Sequence, residues 1–149
     1  MDTISTYHTP NENGQIELKR QYKNYLPAGI EFVIVFQETL EKVLTYSLNS
    51  IEMKVFVYIL SQVGFENNLE MPGLQSRCAK KIDSHQPHVS KALQKLEFHK
   101  IIVKEAIEDS KQYRFRINYS LAAKDKGSEI KEKHKNDVKN NPMQTELKL

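Results

Sequence analysis

Four side chains able to hold a metal, Cys78, His85, His88 and His99, lie close together in the sequence. Their spacing, Cys-x6-His-x2-His-x10-His, matches no common zinc arrangement, and a second cysteine is missing. Nicking chemistry would need paired metal-ligating histidines and an exposed nucleophilic tyrosine, whereas the seven tyrosines mostly sit in apolar patterns that point to packing. With five glycines and no Gly-x4-Gly-Lys-Ser/Thr or Gly-x-Gly-x2-Gly string, a phosphate-cradling loop is not expected. No Ser or Asp has a nucleophile-elbow context. Cys78 falls on an apolar-periodic position between Leu74 and Ile82, which predicts a buried small hydrophobe rather than a reactive thiol. The reading is a protein that is not an enzyme and carries no metal or cofactor.

A different chemistry emerges in residues 74–104. From Gln86 to Phe98, at 100° per residue, Val89, Ala92, Leu93 and Leu96 form one apolar side. Pro87, Lys91 and Gln94 lie opposite, flanked by His88, Ser90 and Lys95. Gln, His, Ser and Lys can hydrogen-bond base edges or phosphates. The same segment has seven Lys/Arg against Asp83 and Glu97. Its net +5 in a chain of +3 leaves the remainder at −2, so positive charge is concentrated where phosphates would be neutralised.

These side chains need elements to position them. Residues 74–82 read as a short helix, Ser84 and His85 as a turn, and Pro87 as a first-turn proline opening the longer helix that runs to Phe98. Residues 101–107 and 113–119 read as two strands joined by Glu108-Asp-Ser-Lys111. In the second, Tyr113, Phe115, Ile117 and Tyr119 alternate with Arg114, Arg116 and Asn118, which predicts a hairpin with an arginine-bearing outer face. Upstream, residues 31–46 show helical apolar spacing with an extended entry at Phe32 to Val35, where β-branched residues cluster. Asn49 with Glu52 predicts a variant of the capping box, with Ser50 as the competing cap. The following helix, residues 51–63, is apolar nearly all round and should be the most buried. A short strand is expected at residues 69–71 and another at 15–18.

Composition bounds the rest. A chain of 149 residues, 39% hydrophobic and 28% charged, fits one core with tails. No apolar run approaches membrane-spanning length, so no membrane partner is expected. The first residues lack the basic start and apolar centre of a signal peptide, and a lone cysteine fits a reducing compartment, so a cytoplasmic location is expected. Residues 1–27 read as a flexible arm, 28–122 as the folded domain and 123–149 as a flexible tail, disordered or frayed helical, with seven Lys against five Asp/Glu.

The stretch from Val35-Phe-Gln-Glu-Thr-Leu to Asn118 resembles the RepL-like plasmid replication proteins, a winged-helix family. The matching parts are FQETLEKVL, NSIEMKVFVYIL, the string Gln86-Pro87-His88-Val89-Ser90-Lys91-Ala92-Leu93 with Leu96, and Ile101-Ile102 leading into YRFRIN. QPHVSKALQKL is also similar to the recognition helices of MarR- and GntR-type regulators. Where such families usually have a Gly and a Ser/Thr cap before that helix, this chain has Asp83-Ser84-His85. The expected fold is therefore mainly α with a small β-hairpin, a winged helix-turn-helix. On this reading Gln86, His88, Ser90, Lys91 and Gln94 face base edges, while Lys80, Lys81, Lys95, Arg114 and Arg116 meet phosphates. The resemblance implies double-stranded DNA as partner, a homodimer, host replication proteins and a role in plasmid replication and copy control. A transcription regulator of the same fold is the alternative, and a protein-interaction module on this fold a third reading.

Overall fold

The computed structural model describes residues 30–143. The strand expected at residues 15–18 lies outside them. The folded unit begins at Val33.

The extended entry takes the form of a two-residue strand, β1 (Ile34–Val35), leading into helix α1 (Gln37–Val43) and a 3-10 turn at Leu44–Tyr46. Ser47 then turns left-handed (φ 52°) and ends the helical run. Asn49 accepts from the Glu52 N–H while the Glu52 carboxylate accepts from the Asn49 N–H, both at 2.8 Å. This capping box starts α2 (Ser50–Gln62) and satisfies two otherwise orphaned donors. α2 buries Val55, Phe56 and Ile59, yet Lys54, Val57 and Ser61 face solvent, so it is one-sided rather than buried all round.

A kinked turn brings in strand β2 (Asn68–Leu69), a little earlier than expected. Gly73 takes φ 78° immediately before α3 (Leu74–Lys81). The positive φ is what favours glycine here; a Cβ would meet only the flexible end of Arg77, which can move aside. The turn to α4 (Gln86–Phe98) passes through Asp83 at φ 53°, the conformation a glycine would take, and aspartate tolerates it. The Ser84 N–H donates to the Ala79 carbonyl at 2.9 Å, closing the end of α3.

β3 (Ile102–Ala106) and β4 (Tyr113–Ile117) form an antiparallel hairpin with Ile102 opposite Ile117 and Ala106 opposite Tyr113. β2 pairs with the other edge of β4 at Arg116 and Phe115, giving the order β2-β4-β3. A second small pairing joins β1 to β5 (Ala122–Ala123). The core is the meeting of Ile59 and Val55 with Leu74, Cys78, Val89, Leu96, Ile101 and Ile117, all at most 1% exposed. Tyr46 and His99 stack face to face beside it, ring centroids 4.1 Å apart. The protein is thus mainly helical with a small antiparallel sheet.

The C-terminal segment departs from expectation. Rather than a disordered or frayed helical tail, Gly127–Asn140 forms a docked helix, α5, whose buried Asp137 holds it to the sheet. Its inward positions, Ile130, Lys133, His134, Asp137 and Asn141, keep helical spacing but are almost all polar. Polar contacts hold this helix.

Candidate nucleic-acid interface

Helix α4 presents two chemically distinct sides. Val89, Ala92, Leu93 and Leu96 anchor it in the core, so its rotation about its own axis is fixed. Gln86, His88, Lys91 and Gln94 are exposed in consequence, and Ser90 is half-buried between the two sides. Pro87 sits in the first turn, where the missing N–H costs no helical hydrogen bond. No side chain caps that end; Pro87 has no N–H to satisfy, and the His88 N–H donates to the His85 carbonyl at 3.0 Å. The His85 and His88 rings meet edge to face at 5.7 Å across the entry. Lys80 and Lys81 are exposed in the last turn of α3, just before the turn into α4.

The remaining expected phosphate contacts fare differently. Lys95 is half-buried and ion-paired with Glu52 at 3.3 Å, tying α4 to the capping box of α2. Arg114 donates to the backbone carbonyl of Glu66 at the sheet edge while remaining half-exposed. Arg116 requires a correction. It is 6% exposed and turned into the protein, where Nη1 and Nη2 donate to both Asp137 oxygens at 2.6 and 2.8 Å. Its Nε donates to Glu105 at 2.6 Å. Burial works against its charge, but the two carboxylates outweigh that and raise its pKa further. A guanidinium buried and paired in this way is turned away from any phosphate. The hairpin face that alternation assigned to solvent is roofed by α5.

Around that pair lies a polar cluster that sequence periodicity did not reveal. Burial alone would raise the Asp137 carboxyl, but hydrogen bonds from Arg116 and from the Tyr119 N–H (2.7 Å) hold it below the usual carboxylate range. The Tyr119 hydroxyl donates to Asp125 at 2.7 Å; burial first, and then that bond, push its pKa up strongly. Asp125 also receives Lys133 Nζ at 2.5 Å. Asn118 Nδ2 bridges the carbonyls of Lys100 and Asn141, both at 2.8 Å. Asn67 binds the carbonyls of Ile117 and Ala122. Burial raises the Cys78 thiol pKa, so it stays protonated and inert.

Among the described residues no group of three His, Cys, Asp or Glu side chains could hold a metal ion, and no helix is long and apolar enough to cross a membrane. The hairpin tip is acidic at Glu108 and Asp109, with Lys111 the single base. Scans against protein-family models, curated proteins and solved structures return no significant match for this chain.

Proposed function

We propose that the chain is a winged-helix protein that binds double-stranded DNA, with α4 as the helix that enters the major groove. One observation carries the reading: the core fixes α4 so that Gln86, His88, Lys91 and Gln94 are exposed together, beside Lys80 and Lys81. The order helix, strand, helix, turn, helix, hairpin is that of a winged helix, and supports the fold reading. Gln and Lys would read base edges; Lys80 and Lys81 would fix the register on phosphates. The acidic tip and the buried Arg116 limit the hairpin's share of phosphate contact to Arg114 and Lys111.

The RepL-like resemblance supports a plasmid or mobile-element origin as the target, with host replication proteins as further partners. A homodimer on paired half-sites follows the same logic, and Leu40 and Leu44, exposed on and just after α1, are its proposed contact. Footprinting on the DNA that flanks the protein's own gene tests the origin reading. Protection over iterated repeats at a replication origin is expected. Protection confined to a promoter would instead favour the transcription regulator. No protection at any salt concentration would contradict the DNA reading itself.

A further inference from the structure

The hairpin's other face is open. Between its inner side and the segment that leads into α3 lies a trough of about 990 Å³, lined among others by Met71, Lys104, Gln112, Tyr113, Arg114 and Phe115. That is the upper end of the roughly 300–1,000 Å³ that ligand sites occupy. Tyr113 is 56% exposed, with Lys104 Nζ 4.3 Å from its ring centroid and 5.9 Å from that of Phe115. An exposed aromatic ring beside a second ring, with an ammonium group over both, offers stacking surface and positive charge together. Lys104 and Arg114 face only Glu70 among the acids of the lining.

We infer that this trough is a second nucleic-acid site, and that it takes unpaired bases of a single strand. Bases stacked within a duplex have no free π-face to offer, whereas those of a single strand stack on Tyr and Phe whatever their identity. Lys104 and Arg114 would follow the backbone, and the Gln112 amide would meet a base edge. An extended peptide added to the sheet fits less well. On the trough side β2 already covers the β4 edge at Phe115 and Arg116, leaving Tyr113 and Arg114 as the trough-lining β4 residues without a β2 partner. The site shares Arg114 with the duplex reading but uses no residue of the exposed α4 face, so Tyr113 and Lys91 variants tell the two apart.

The test uses the full chain and a short mixed-sequence oligodeoxynucleotide carrying 2-aminopurine, whose emission reports stacking. Binding at low salt with a change in emission is expected. Tyr113→Ala should weaken it roughly tenfold and abolish the emission change, while Tyr113→Phe should restore both. Lys104→Gln should lower the salt dependence by about 0.7 in log–log slope. Lys91→Glu should leave single-strand affinity within about twofold while duplex binding falls. A wild-type chain that ignores the single strand, or a Tyr113→Ala chain that binds it as the wild type does, overturns the inference. The second result would fit a trough built for an apolar peptide instead.

Discussion

At the scale of single residues, Lys91 and Arg116 illustrate how far side-chain type alone can be read. Both are basic and both belong to segments whose polar side pointed outward by simple periodicity. The Lys91 placement holds because the apolar stripe Val89, Ala92, Leu93 and Leu96 fixes the helix rotation from the sequence itself. The Arg116 placement fails because strand alternation says which residues share a face, not what covers it. Asp137, some twenty residues downstream, covers it. The two arginyl and lysyl variants should therefore part ways. Lys91→Glu should leave the melting temperature nearly unchanged and weaken duplex binding at least tenfold, measured by fluorescence anisotropy. Arg116→Ala leaves the Asp137 carboxylate buried and unpaired, so a loss of about 3–5 kcal/mol in unfolding free energy is expected from urea titration. Equal stability of the two variants would contradict the structural role given to Arg116.

At the scale of elements, the helices α2 to α4 and the hairpin were legible in the sequence, since each carries an apolar period or a capping signal. The capping box at Asn49 and the proline of α4 sit where local chemistry put them. α5 was not legible. Its inward stripe is Lys133, His134, Asp137 and Asn141, and hydrophobic periodicity is blind to a helix docked by ions and amides. That manner of docking has a pH signature. The Asp137 carboxyl is held below its ordinary value in the folded chain, so its contribution is fully present above about pH 4, where the unfolded carboxyl is also ionised. The contribution is lost as pH falls through the lower, folded value. Asp125 adds in the same direction. Melting temperature followed by circular dichroism from about pH 7 to about pH 3 should fall steeply at the acid end. In Asp137→Asn it should start lower and fall less; parallel curves would show that the pair is not the acid-sensitive contact.

At the scale of the whole molecule, positive charge gathers in residues 74–104, the segment that contains α3 and α4, while the remainder of the chain is net negative. Such an arrangement orients the protein toward a polyanion, and it makes association depend on salt. The proposed pairing of two chains through Leu40 and Leu44 belongs to this scale too. Leu44→Lys should shift sedimentation toward the monomer and weaken binding to paired half-sites more than to a single one. An unchanged sedimentation profile would remove α1 from the interface.

The most direct test of the central claim is selection of the full-length protein against a pool of random-sequence DNA duplexes, followed by titration of the enriched duplex across salt concentrations. If α4 reads the major groove, an enriched motif is expected whose log affinity falls linearly with log salt, with a slope of several units, and which Lys91→Glu no longer selects. No enrichment, together with no salt-dependent affinity for any duplex, would contradict that reading.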